Sequence, residues 1–362
     1  MALSISNEVV KTVINKPAYD LAYSHKISRS MVDIDLFTEG HPFHLYDECR
    51  ENAPVLFHDS AEYDVDPGFW SLTRYEDIQY VSMNPKIFSS QLCTGTLMTL
   101  GEEERRHPKL WRSSIDHMLN LDGDLHINLT RDHMRFCKPG YVEELHKKVK
   151  VKVTEFLDVI APMGSCNLVH HFSQQLPIFT LSEILGIPES DRQKLVSWME
   201  FLELAQHFQV ESYRKELAGE TAATPDENMI AMFNAMVDEM FEYGRDILIK
   251  KRHNPDNDLL SAIANAEIQG EKLSDEFLDG SWLLIIFAGN DTTRNTLSGA
   301  IKLLTEFPSQ KEKLLANMDL LPNFVQESIR MISPVIHMRR TTTQEATIGE
   351  QRIGPGEKII MW

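Results

Sequence analysis

Apolar residues recur at helical spacing through the middle of the chain and at strand spacing near both ends. Across 141–160, Val142, Leu145, Val149, Val153, Phe156 and Leu157 fall three or four positions apart, the stripe of an amphipathic helix. The same period predicts helices over 42–52, 75–83, 168–185 with an interruption at Pro177, 191–208, 227–252, 259–266, 274–307 and 323–332. Short β-rich runs bounded by turn residues predict strands over 54–58 and 68–73, and again over 339–343, 347–348 and 358–362. Asp66-Pro67-Gly68 and Gly354-Pro355-Gly356 supply turn chemistry. The stretch 89–124 has no clear period and is expected to be a long loop. The implied architecture is mainly α with a small β-sheet built from both ends of the chain. Residues 1–34 form a lead-in and 35–362 a single domain, because the two ends must meet.

Composition narrows the function. The 362 residues carry 36 basic against 54 acidic side chains, a net charge of −18, which argues against a nucleic-acid binder. Cys49, Cys93, Cys137 and Cys166 form no C-x-x-C pair and no zinc spacing, so they read as free thiols of a reducing cytoplasm. The N-terminus has no secretory apolar core. The apolar run 282–288 is closed by Gly289-Asn290-Asp291, far short of the ~18 residues a membrane span requires. A soluble cytoplasmic protein with no membrane span is expected.

The helix over 274–307 breaks local rules at its centre. Ser274 suits an N-cap, and Asp275 and Glu276 favour the helix dipole. Yet Gly289, Asp291, Thr292 and Thr293 follow directly on the apolar run, where glycine costs ~1 kcal/mol and a carboxylate needs a partner. Leu284, Ala288 and Thr292 share one stripe, and the small residue leaves room for something flat. Taken alone, the helix is equally a polar kink satisfied by its neighbours. The methionines at 229, 232, 236 and 240 read as core. Leu97, Met98, Leu100, Phe201, Leu204 and Phe208 are lid candidates by position.

Ala288-Gly289-Asn290-Asp291-Thr292-Thr293 resembles the central-helix motif of the cytochrome P450 family, the haem-thiolate monooxygenases. Glu327-Ser328-Ile329-Arg330 matches that family's E-x-x-R, followed in order by a proline stop, Arg340 and a β-hairpin. Gly68 to Asp77, Asp122 to His126 with Pro139, and the stretch 164–198 also look like segments of soluble bacterial members. The stretch after Glu327 is similar to members that oxidise steroids and terpenoids.

The resemblance implies haem b as cofactor and insertion of one oxygen atom from O2 into a hydrophobic steroid- or terpenoid-like substrate. Asp291 and Thr292 would serve proton delivery, with Ala288 and Gly289 against the cofactor. His126 and Arg340 would hold propionates. Glu327 and Arg330 would form a buried structural ion pair. Electrons would come from NAD(P)H through a redox partner. Seven basic against three acidic residues in 126–152 suggest a ferredoxin-type partner docking over 131–152. Two departures stand out. Thr130 occupies a position where near relatives of this type usually carry arginine, with Arg131 next to it. No cysteine follows Glu327-Arg330 in a glycine-rich loop, so the axial thiolate is missing from this chain. The chain would then be a fragment of the parent enzyme and inactive as it stands. The alternative is a non-catalytic, helical hydrophobic-ligand-binding protein or pseudoenzyme of the same fold, in which Asp291 and Thr292 are relics.

Overall fold

The computed structural model describes residues 31, 34–37, 40–58, 68–91, 108–217, 219–221, 226–268 and 270–362. In chain order they form α1 (Phe43–Asn52), β1 (Val55–His58), β2 (Phe69–Leu72), α2 (Tyr75–Met83) and β3 (Phe88–Ser89). Next come α3 (Pro108–Ser113), α4 (Gly123–His133), α5 (Pro139–Ile160), α6 (Gln175–Leu185) and α7 (Arg192–Leu217). They are followed by α8 (Glu227–His253), α9 (Leu259–Asn265), the hairpin β4 (Glu267–Ile268) and β5 (Glu271–Lys272), and α10 (Asp275–Glu306). The chain closes with α11 (Pro308–Ala316), α12 (Leu321–Ile332), β6 (Met338–Thr342), β7 (Ala346–Ile348), β8 (Gln351–Ile353) and β9 (Lys358–Met361). These residues divide into two compact units, one drawn from 1–106, 119–127 and 336–362, the other from 107–118 and 128–335. The expected class, mainly helical with a small sheet, is the observed one.

The first unit is built on a five-stranded sheet in the order β1-β2-β9-β6-β3. Its centre joins the two ends of the chain, with Trp70 beside Ile359 and Leu72 beside Met361 in the parallel β2–β9 pair. The other neighbouring pairs run antiparallel. Successive strand residues point to opposite faces, and both faces are covered. Val55, Phe57, Trp70, Leu72, Val81, Ile348 and Ile359 fill one core. Leu56 joins Leu45, Tyr46 and Cys49 on the other side, with Trp362 packed against them. Every residue of β1, β2 and β9 is therefore buried.

The second unit is organised around α10. Ser274 caps it, its hydroxyl accepting from the Phe277 amide at 3.2 Å. Its 32 residues span about 48 Å at the α-helical rise. Trp282 is buried against Trp198 of α7 and Tyr243 of α8, and donates its indole N–H to the Met240 carbonyl at 3.0 Å. At Gly280 a Cβ would collide with the backbone carbonyls of Asp116 and Ser113, so only glycine admits the chain after α3. Arg245 of α8 binds Asp279 and reaches Asp275 at 3.1 Å, tying α8 to the first turns of α10.

Several local expectations need correction. Pro177 does not interrupt a helix: a π-type turn over Val169–Ser173 comes first, and Pro177 sits in the opening turn of α6, where a missing N–H costs little. Among the four methionines of α8 only Met240 lies in the core, while Met229 and Met232 are exposed. The helix α11 and the short strands β3, β4, β5 and β8 carried too little periodicity to be anticipated. Asp66, Pro67, Cys93, Leu97, Met98 and Leu100, and most of 1–34, lie outside the described residues. No described helix is long and apolar enough to cross a membrane.

Candidate functional site

The centre of α10 is helical without a break from Asp275 to Glu306. Its rule-breaking residues are accommodated within the helix. The Thr292 hydroxyl donates to the Ala288 carbonyl at 3.0 Å, the back-bond that threonine offers in a helix. Ile286 and Asn290 are buried, whereas Ala288 between them is exposed and Thr292 is half-buried. The stripe Leu284, Ala288, Thr292 thus lies open beside a packed face. Side chains larger than a methyl at 288 would fill that opening.

Gly289 lies where α10 packs on α6. A Cβ there would collide with the Leu181 side chain of α6, so the glycine lets the two helices pack. Asp291 is fully engaged. Arg294 donates to its Oδ1 at 2.5 Å, and the Asn295 amide donates to Oδ2 at 3.2 Å. Arg294 also donates to Glu203 of α7 at 2.5 Å. Arg294 and Asn295 stand three and four positions after Asp291, a spacing from which sequence could have found them. Glu203, 91 residues from Arg294, gave no such signal. Asn290 is 1% exposed, and neither atom of its amide has a hydrogen-bond partner among the described residues.

His126 and Arg340 both belong to the first unit. His126 is half-buried in the opening turn of α4. The entry to that helix is pinned by Asp122, whose carboxylate accepts from the Ser89 hydroxyl, from the Ser90 amide at 3.0 Å and from the Gln91 amide at 3.4 Å. Arg340 stands opposite Ile359 in the β6–β9 pair, and its half-buried guanidinium donates to the Arg339 carbonyl at 2.7 Å. No carboxylate among the described residues lies within ion-pair distance of it. A guanidinium so placed retains donors for the carboxylate of a ligand. The open stripe on α10 suits a flat ligand, and the guanidinium on β6, considered by itself, suits a carboxylate.

Glu327 and Arg330 form the expected pair, with Nε and Nη2 of Arg330 donating to both carboxylate oxygens at 2.8 to 3.1 Å. The expected burial is not found: the side chains are 61% and 64% exposed. Arg330's hydrogen bonds hold the Glu327 carboxyl below its ordinary value. An exposed i, i+3 pair of this kind contributes little to stability. The exposure follows from α12 itself, which turns Leu321, Val325 and Ile329 outward as well.

The basic region is also altered by folding. Lys147 pairs with Glu144 at 2.6 Å, Lys148 with Glu183 of α6 at 2.7 Å, and Lys152 with Glu155 at 2.8 Å. Glu155 and Glu183 fall outside the stretch that suggested the patch. Arg131, Arg135, Lys138 and Lys150 are exposed, with no ion pair among the described residues, and Arg135 lies over the Phe136 ring. Of the lid candidates, Phe201 stacks on Phe233, while Leu204 and Phe208 border a hollow of about 320 Å³ along α7 with His207, Glu211, Ser212 and Lys215.

Comparison with known proteins places these features in context. A family model described as Cytochrome P450 matches residues 154–362. Linalool 8-monooxygenase of Pseudomonas putida is 28% identical over 332 residues, covering 91% of this chain and 76% of the relative. A methyl-branched lipid omega-hydroxylase of Mycobacterium tuberculosis is 28% identical over 329 residues, covering 86% of this chain and 69% of the relative. Among solved structures, a cytochrome P450 of Mycobacterium marinum in complex with pseudoionone superposes with a TM-score of 0.75 at 29% identity, covering 97% of this chain and 80% of that one.

Proposed function

The chain belongs to the cytochrome P450 family of haem-dependent monooxygenases, and from that premise we propose that its site serves the hydroxylation of a terpenoid- or steroid-like substrate. The observation that carries this reading is the open stripe of Ala288 and Thr292 in the middle of α10. The relative that acts on linalool and the structure holding pseudoionone favour a terpenoid-like compound over other hydrophobic molecules.

Haem b, when bound, supplies dioxygen binding and the oxidising power for inserting one oxygen atom into a C–H bond, with water as the second product. The chain's own residues do the rest. Arg340 and His126 are the residues that would hold the propionates. Ala288 keeps the helix face low enough for a flat ring. Thr292 presents a hydroxyl on that open stripe, and Asp291 stands beside it as the carboxylate from which protons are replenished.

Electrons come from NAD(P)H through a ferredoxin-type protein in this reading. Arg131, Arg135, Lys138 and Lys150 are the cations left to steer it. Reversing Lys138 and Lys150 should slow reduction and weaken its salt dependence, whereas unchanged rates would remove the docking assignment. Four scattered cysteines and the lack of an apolar spanning helix among the described residues support work in the cytoplasm.

None of the four cysteines serves as the axial thiolate in this account. Burial pushes the Cys49 thiol up to about 12, and Cys137 and Cys166 are exposed. Haem-loaded residues 1–362, reduced under carbon monoxide, should give no thiolate-type Soret band, and such a band would overturn this point. In thiolate-ligated holoprotein, incubation with a monoterpenoid under ¹⁸O-labelled dioxygen should give a singly hydroxylated product carrying the label. Oxygen derived from water would refute the monooxygenase reading.

A further inference from the structure

We propose that Arg294 is the positioning residue of the Asp291 carboxylate, and that its second bond, to Glu203, makes the setting of that carboxylate depend on where α7 lies. The proposal rests on the reading of Asp291 as the proton-supplying carboxylate.

The geometry is specific. Arg294 is 16% exposed, although it sits on a helix whose polar residues could face solvent. Its Nη2 meets Asp291 Oδ1 and its Nη1 meets Glu203 Oε1, each at 2.5 Å. One guanidinium therefore serves two carboxylates on two helices, a task for which its planar fork of donors is suited and a lysine is not. Asn295 holds the other oxygen of Asp291 at 3.2 Å, so both carboxylate oxygens are aimed from one side. An exposed i, i+3 pair is worth little, but the bridge to α7 removes that freedom.

Glu203 also stands next to the part of α7 that is open to ligands. Leu204 and His207, one and four positions further on, border the hollow that continues to Lys215. Leu204 is 63% exposed, so this flank of α7 is not held by packing. A molecule settling in that hollow would press on the helix that carries Glu203. Two carboxylates then share one cation, and displacement of Glu203 changes how Arg294 is divided between them. The orientation of Asp291 thereby reports the state of α7.

Two measurements test the bridge separately from the chemistry. The first uses unfolding midpoints of Glu203→Gln, Asp291→Asn and the double variant, with and without Arg294→Gln. Glu203 and Asp291 are expected to be non-additive in the parent and additive once Arg294 is replaced. Additivity in the parent overturns the bridge, whatever the turnover data show. The second uses thiolate-ligated holoprotein. Arg294→Gln and Glu203→Gln should lower kcat by roughly 10- to 100-fold and 2- to 10-fold, with KM little changed and the solvent isotope effect altered, as expected for a displaced proton-supplying group. Arg294→Lys, which can serve only one partner well, should recover part of the loss. A loss in Asp291→Asn with none in Arg294→Gln overturns the positioning role. Unchanged turnover in Asp291→Asn refutes the proton-supply reading instead, and with it the functional half of the proposal.

Discussion

Trp70 donates its indole N–H to the Glu357 carboxylate at 2.6 Å across 287 residues of sequence. The bond ties β2 to the turn that leads into β9, where the two ends of the chain share a sheet. Trp70 is 1% exposed, so its N–H has no access to water once the acceptor is gone. Glu357→Ala should lower the unfolding free energy by ~1–3 kcal/mol, the cost of a stranded buried donor. Glu357→Gln, which keeps an acceptor, should lose less. Urea denaturation of the two variants checks the order.

Gly280 is needed for a close backbone approach rather than for flexibility. A methyl group there would strike the carbonyls of Asp116 and Ser113, which are main chain and cannot rotate away. Gly280→Ala should destabilise by ~1–3 kcal/mol, as overpacking does. Gly140→Ala, at a helical glycine with no atom near the added methyl, should be neutral or stabilising. A thermal shift assay comparing the two separates helix propensity from collision.

Much of this was legible in local sequence. The span of α2, the Ser274 cap and the sheet formed by both chain ends followed from period, capping chemistry and turn residues. Spacing also gave the Glu327–Arg330 pair. It could not give the exposure of that pair, because burial depends on what packs over α12 and not on the i, i+3 register. The helix α11 escaped because Leu314, Leu315 and Ala316, adjacent at its end, are too few to set a helical period. Glu203 escaped for another reason: only the crossing of α7 and α10 brings it to Arg294.

Burial lowers Lys358 from 10.5 to about 8 in β9. Between those values the unfolded chain binds more protons than the folded one, so stability should rise with pH across that window. The full effect is on the order of 3 kcal/mol. Lys358→Met removes this titration. Its stability advantage over the parent should be largest near pH 7.5 and shrink toward pH 10. Taking the difference between the two proteins cancels the opposing contributions of Tyr46 and Cys49, which burial pushes up to about 12. Chemical denaturation at several pH values measures the gap.

The central claim is that the Thr292 hydroxyl, half-buried on the Ala288 stripe of α10, is the group through which the site would deliver protons. The most direct measurement is the yield of hydroxylated product per O2 consumed, in thiolate-ligated holoprotein and its Thr292→Ala variant. The variant is expected to keep consuming O2 while releasing much of it as hydrogen peroxide, with product yield falling roughly tenfold or more. An unchanged yield in Thr292→Ala would contradict the account.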